Sequence, residues 1–451
     1  MSKWSLGEAA GGWTEMPDGG KAPMVSGRTV RPYFFLSYAR TPRRDPTDKA
    51  DPDRWVYKLY KDLCDAILQL TDVQPEEAGY MDRENKVGSE WSPELLRALR
   101  TCRAFVPLYS RRYFESDYCG KEWFAFARRQ FINRARRPEV DCAIVPALWT
   151  KMEVDGLPQV AKAVQFEHSV LGARYCAEGF YGIMKLKNCR ADYLQAVHRL
   201  AERIVDIGDT SPLADDRVVP RQRRSDFNSL PSAFGPESAT RTANGQLRIA
   251  VLAHDIYSLP PGRGRDYYGP TPHTWSPYRP DYPQPVVDYA ADLATECLDC
   301  TPLVEPAGGA VPGYGGNGQM PPTLYLVDAW VSQSEVHREQ LARLNEAEEP
   351  WVSVLVPWNS TDEQTSAAAQ DLHQNLQAQL GRKLAGIPRR CAMAANGIPT
   401  LEDFGQVLPE MTMTILKRYR KAALADPAVA PAGRRNRLRV IESEDSGDSN
   451  E

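Results

Sequence analysis

Regular patterning along the chain begins at Pro32. Tyr33-Phe34-Phe35-Leu36-Ser37-Tyr38 is apolar without alternation, which predicts a strand buried on both faces. After a polar loop from Arg40 to Asp53, the residues Val56, Leu59, Tyr60, Leu63, Ile67 and Leu70 recur at helical spacing and share one face. Strand and helix then alternate. Gly79-Tyr80-Met81 predicts a second short strand with Asp82 at its end. Ser92-Pro93-Glu94 supplies an N-cap, a first-turn proline and a first-turn acid for a helix through Leu95, Leu96, Leu99 and Cys102. Ala104 to Tyr109 predicts a third strand, and Ser116 caps a helix running to about Arg136. A fourth strand is expected at Cys142 to Leu148 and a fifth at Ala163 to Phe166, before a closing helix through Tyr193, Val197, Leu200 and Ile204. Prolines inside two of these strands are a blemish, because proline brings no ladder donor.

From Gly208 to Gln246 the chain turns to Pro, Ser, Asp and Arg with no sustained period, which reads as a linker. Order resumes at Leu247-Arg248-Ile249-Ala250-Val251-Leu252. A stretch rich in Pro and Tyr follows, from Tyr257 to Pro285. Helices are expected at Val286 to Asp299, Thr361 to Leu384 and Leu401 to Ala423. Strands are expected at Leu303-Val304, Leu324 to Val327 and Val352 to Val356. The two halves look like one plan written twice. First and third strands are separated by 71 residues in one (34 to 105) and by 75 in the other (249 to 324). The expectation is an α/β protein with a doubly wound parallel sheet, followed by a second, degenerate α/β copy. The boundaries read as an extension at 1–30, a first domain at 31–207, the linker at 208–246, a second domain at 247–425 and a charged tail at 426–451. That tail sets Arg434, Arg435, Arg437 and Arg439 against Glu442, Glu444, Asp445, Asp448 and Glu451.

Composition narrows the function classes. The 451 residues carry 55 Lys plus Arg against 59 Asp plus Glu, a net charge of −4, which argues against a dedicated nucleic-acid or anionic-membrane binder. No apolar run approaches the roughly 20 residues of a membrane span. Met1 to Gly12 lacks an apolar core and does not read as a secretory signal. Nine scattered cysteines, an odd number, suit reduced thiols in the cytoplasm.

Three segments in order carry a family resemblance. Phe34-Phe35-Leu36-Ser37-Tyr38-Ala39-Arg40 is similar to the opening strand of TIR (Toll/interleukin-1 receptor-like) domains. Met81-Asp82 through Gly88 resembles the loop after their second strand. Ser116-Asp117-Tyr118-Cys119-Gly120-Lys121-Glu122 resembles their S-x-W-C-x-x-E segment. Residues 31–207 thus resemble a TIR domain. The whole architecture resembles the actinobacterial TIR-like proteins encoded beside ribosomally made FxSxx-COOH peptides, which implies a role near peptide maturation or signalling. The resemblance implies a flavodoxin-like sheet of order 2-1-3-4-5. In such sheets ligands bind beyond the carboxyl ends of the strands where the order reverses, here between the first and third strands. Ser37-Tyr38-Ala39-Arg40 and Leu108 to Arg112 are those ends. Tyr118 and Glu122, four residues apart, share a helical face beside them.

In NAD-cleaving TIR enzymes a glutamate at this position is catalytic, so the resemblance makes Glu122 the catalytic candidate. Ser37, Tyr38, Arg40, Asp82 and Tyr118 become the substrate-binding candidates, with Arg40 suited to a phosphate. NAD+ would be the substrate, and neither a metal nor another cofactor is called for. Two departures stand out: Tyr118 where the family usually has Trp, and Ala39 where a basic residue is common. The alternative is a non-enzymatic module whose halves bind protein partners or self-associate; a third reading is a nucleotide receptor that binds without cleaving. The remaining features are bland. Arg111-Arg112 reads as a solvated pair and Cys119 as a small buried thiol. Cys297-Leu298-Asp299-Cys300 has no second cysteine pair and no nearby His, and Gly308-Gly309 and Gly315-Gly316 belong to no phosphate-binding motif. In the second half, no aromatic stands four residues before the acids of Ser334-Glu335-Val336-His337-Arg338-Glu339, which marks that half as non-catalytic.

Overall fold

A computed structural model describes residues 30–43, 45, 50–82, 92–137, 141–153, 156–210, 213, 230–234, 246–298, 300–305, 321–388 and 391–425. The N-terminal extension up to residue 29, the tail from 426, the glycine pairs at 308–316 and most of 208–246 lie outside the described residues.

The first sheet is β1 (Phe34–Ser37), β2 (Gly79–Met81), β3 (Ala104–Tyr109) and β4 (Ala147–Leu148), parallel in the order β2-β1-β3-β4. Every residue of β1 and β3 is buried, as expected of strands covered by helices on both faces. Phe35 pairs with Tyr80 on one side and Phe105 on the other, and their rings stack in a row at 5.4 and 5.8 Å. Pro107 faces Ser37 on the last β1–β3 rung, where a missing donor costs least.

Five helices of more than two turns surround this sheet. They are α1 (Arg54–Leu70), α2 (Pro93–Thr101), α3 (Asp117–Arg136), α4 (Ala173–Lys185) and α5 (Arg190–Thr210). α1 buries Val56, Leu59, Leu63 and Ile67 and packs on α5, whereas α2 packs on α3. Right-handed crossovers put α1 on one face of the sheet and α2 and α3 on the other. α2 begins where its residues demand: Ser92 Oγ accepts from Leu95 N, with Pro93 in the first turn. Its last carbonyls are held by Arg129, whose Nη1 donates to Leu99 O and Cys102 O at 3.2 and 2.7 Å. α4 is broken at Gly179 (φ 68°, ψ 173°), a region of backbone space essentially closed to other residues. A Cβ there would lie 2.7 Å from the carbonyl oxygen of Trp149.

Several expectations are corrected. The fourth strand was expected over seven residues. It forms only at Ala147–Leu148, with a single bridge at Ile144, because Pro146 interrupts the ladder between them. The expected fifth strand at 163–166 does not form. Those residues follow a one-turn helix, Gln159–Lys162, and precede a 3-10 turn, and a two-residue β4 offers little edge to pair with. α4 and the short helix Arg111–Glu115 were not anticipated. The helix expected at 361–384 begins at Glu363, where Asp362 caps it through Gln364 N and Thr365 N, and divides at Ala368 into Glu363–Ala367 and Ala369–Ala385.

The second sheet repeats the first. β5 (Gln246–Leu252), β6 (Thr301–Val304), β7 (Thr323–Val327) and β8 (Val352–Leu355) are parallel in the order β6-β5-β7-β8. Its long helices are α6 (Val286–Cys297), α7 (Glu335–Glu346), α8 (Ala369–Ala385) and α9 (Leu401–Ala425). Cys297 and Cys300 are buried against this sheet as unbridged thiols.

The two sheets belong to one compact unit that begins at Arg31, joined through α3. That helix buries Trp123, Phe124, Phe126 and Ala127, and also Arg128, Arg129, Gln130 and Phe131, so it is covered nearly all round. The Phe131 ring meets Tyr289 of α6 edge-on at 5.0 Å, and Arg134 donates to Glu296 at 2.8 Å. Each large apolar side chain sunk here is worth about 1.5–3 kcal/mol. We propose the two sheets as domains divided at 208–246. Limited proteolysis should cut first within that stretch, yet the fragments should co-elute on size-exclusion chromatography because α3 holds them. First cuts inside either sheet, or fragments that part without denaturant, would refute this division.

Candidate active site

The expected site residues converge at the carboxyl edge of the first sheet. Ser37 is the last residue of β1 and is buried. Its Oγ donates to Glu122 Oε2 at 2.5 Å and lies 3.0 Å from the Tyr113 hydroxyl. With Ser37 donating to the carboxylate, Tyr113 is the donor to Ser37, and a chain of three side chains runs Tyr113–Ser37–Glu122. One residue on, the Tyr38 hydroxyl donates to the backbone oxygen of Asp82 at 3.2 Å, closing β1 against the end of β2. Arg40 Nη2 reaches Asp82 Oδ2 at 3.3 Å. Five of the six candidates are thus linked by hydrogen bonds along two adjoining strand ends. The remainder of the loop motif, on to Gly88, lies outside the described residues.

Tyr118 and Glu122 stand on α3, whose start is set by Ser116: its Oγ accepts from Cys119 N at 3.3 Å. The i,i+4 spacing places both on one side of the helix. They differ in environment. Tyr118 is 40% exposed, and Lys121 Nζ sits 5.9 Å from its ring while also pairing with Asp117 at 2.7 Å. Glu122 is partly buried and bonded to Ser37. Desolvation pushes its carboxyl up from 4.5 to about 8, and nearby Asp82 adds to the rise, while the Ser37 hydrogen bond and Arg40 oppose it. Cys119 is buried, and its thiol is raised well above the usual range by that burial. Arg111 and Arg112 are both exposed.

Two contributors escaped sequence reasoning. Tyr113 lies on the short helix capped by Ser110, whose Oγ accepts from Tyr113 N at 3.1 Å. Ser110 three residues ahead was the only signal, and it does not tell which way the ring points. The other is Leu230 to Phe234, inside the supposed linker. Leu230, Ala233 and Phe234 are buried. The Phe234 ring packs on Tyr113, Phe114 and Trp123 at 5.5, 5.1 and 5.7 Å. The apolar Leu230, Ala233 and Phe234 close together in a Pro- and Ser-rich stretch are the mark that could have shown it.

The loop that leaves the site at Arg40 continues as one wall of a cavity of about 360 Å³. Thr41, Trp55, Trp149, Tyr181 and Lys185 line it, with Lys185 Nζ 4.8 Å from the Trp55 ring and 5.5 Å from that of Tyr181. Among the described residues the buried Trp55 Nε1 has no hydrogen-bond partner.

The corresponding edge of the second sheet is filled by its own chain. Asp328, just past β7, accepts from the Tyr268 hydroxyl at 2.8 Å. Arg263 lies between the rings of Tyr267, Tyr268 and Trp330 and donates to Asp362 at 2.6 Å, both side chains being 3% exposed. Glu335 and Glu339 are exposed and paired with Arg338 and Arg343.

The sheet order and the crevice define the class: a doubly wound, flavodoxin-like α/β fold with its polar site at the strand-order reversal. Residues 34–169 match the family described as the TIR domain. No curated protein matches the chain. No described helix is long and apolar enough to cross a membrane.

The raised carboxyl makes a stability prediction with a definite sign. An acid whose folded pKa is raised binds more protons folded than unfolded between about 4.5 and 8. Its burial is therefore without penalty at low pH, and stability is lost as pH climbs through that window. Glu122→Gln removes the penalty and keeps an acceptor for Ser37. In urea titrations the variant should gain on the wild type from pH 5 to pH 8 and hold a constant lead above about pH 8. A difference independent of pH would show that the carboxyl titrates normally.

Proposed function

We propose that the TIR domain is an NAD+ hydrolase, breaking the bond between nicotinamide and ribose, and that Glu122 is its catalytic carboxylate. The observation that carries this is the Glu122 side chain set beside Ser37, Arg40 and Asp82 at the reversal of strand order. As the C1′–N bond lengthens, its electron pair passes to the pyridinium nitrogen and nicotinamide leaves neutral. Positive charge develops on the ribose, as in glycoside hydrolysis. A desolvated carboxylate against the ribose opposes that charge more strongly than it would in water. Water then adds at C1′ and gives up a proton. The cationic pyridinium itself favours the ionised form of Glu122. Tyr118 offers an aromatic face to the pyridinium. Arg40 supplies a cation for the pyrophosphate, and the neighbouring cavity gives room for the adenosine half.

The second reading, a binding module, is favoured by Tyr118. Its ring is exposed and already has Lys121 over it, a cation where the substrate's would sit. In that case the TIR domain binds protein partners or another copy of itself. The two-sheet architecture supports a place for either activity in signalling around a ribosomally made peptide.

Incubation of purified protein with NAD+, followed by chromatography for nicotinamide, separates the readings. Glu122→Gln should slow release roughly 10²-fold, for a loss of about 2–3 kcal/mol of transition-state stabilisation. Tyr118→Ala should weaken substrate binding as well as rate. For the wild type, kcat/KM should rise with pH through about 8, where the free carboxyl ionises. Equal release by wild type and Glu122→Gln would refute the assignment of the carboxylate. Absence of turnover, even when the protein is concentrated, would leave the binding module.

A further inference from the structure

The chain between the two sheets does more than join them. At residues 230–234 it returns to the TIR domain and lies across the first turns of α3. Ala233 N donates to Gly120 O at 2.9 Å, between Tyr118 and Glu122 in sequence. Gly120 is what allows this approach: a Cβ at that position would stand 1.8 Å from Ser232 Oγ, 3.0 Å from Ser232 Cβ and 3.2 Å from Phe234 Cδ2. The crossing is braced internally, since Ser232 Oγ donates to Phe234 O at 3.0 Å. Phe234 then enters the aromatic cluster of Tyr113, Phe114 and Trp123. One face of the Tyr113 ring region is therefore held by Phe234, while its hydroxyl is bound to Ser37 and, through Ser37, to Glu122.

We infer that residues 230–234 are a strap that positions Glu122, acting through Phe234, Tyr113 and Ser37. The strap belongs to the segment that ties the TIR domain to the second sheet. A pull on that segment is thereby transmitted to the carboxylate, and the second half gains a mechanical route to the site without touching substrate. Phe234 and Tyr113 are positioning residues in this scheme. The Tyr113 hydroxyl, held behind Ser37, steadies the Ser37 hydroxyl toward Glu122. Release of the strap disturbs both the burial that raises the Glu122 carboxyl and the Ser37 bond that opposes the rise, so the ionisation of Glu122 should move.

The inference rests on reading Glu122 as the reacting carboxylate, and the test separates the two ideas. Gly120→Ala places a methyl group against Ser232 while giving α3 a better helix former. A role confined to the helix predicts a protein at least as stable as the wild type. A strap predicts instead that residues 230–234 become open to protease and that nicotinamide release falls about tenfold or more. Phe234→Ala, which leaves α3 unaltered, should reproduce the effect of Gly120→Ala and serves if that variant does not fold. The Glu122 titration midpoint, read by carboxyl carbon NMR on full-length protein, should shift in both released variants. That readout needs no turnover, so it decides the matter even if the wild type proves inactive on NAD+. Release of the strap with the midpoint unchanged would overturn the inference. So would a Gly120→Ala protein whose strap stays protected.

Discussion

The structure turns on the double burial of α3. This helix must cover the first sheet with Trp123, Phe124 and Phe126 and meet the second half with Phe131 and Arg134. A helix so committed has few free positions, and they lie near its start. There the Ser116 cap fixes the frame, Gly120 admits the strap, and Glu122 faces Ser37. A carboxylate at this point inherits the rigidity of two cores. Its removal from water, with Asp82 nearby, is why its ionisation is displaced. Fold and site chemistry are thus one fact: the packing that fixes the helix is also what desolvates its acid.

The repeated sheet shows what becomes of the same architecture when its crevice is not kept open. In the second half the end of β7 carries Asp328, and the loop after β5 lays Tyr268 against it, with Arg263 bonded to the Tyr268 hydroxyl. The guanidinium of Arg263 occupies the space with a bond to Asp362 and three aromatic rings around it. Such a pair is expensive to separate, because either partner alone would be a buried uncompensated charge. This half is suited to be a firm body on which α3 and the strap can bear.

Much of this was legible in the sequence. Apolar runs marked β1, β3, β7 and β8, because strands buried on both faces need no polar alternation. Ser92 and Ser116 announced α2 and α3, because a cap acts on backbone amides two or three residues away. The neighbourhood of Ser37, Asp82 and Glu122 followed from strand order and motif. What stayed hidden depended on distant partners. Pro146 shortened β4 and so left 163–166 without an edge. Gly179 turned the chain within α4 because Trp149 approaches from another element. Phe234 and Tyr113 gained their roles only by meeting, across more than a hundred residues of chain.

The shared helix also bears on how such a protein could be divided or inherited. A first half made without the second would present Phe131 and the apolar side of α3 to water, beside an Arg134 that had lost Glu296. Exposed patches of that kind favour association with whatever apolar surface is nearest. Truncated TIR halves of this chain would be prone to aggregate, and the two sheets are bound to be lost or retained together.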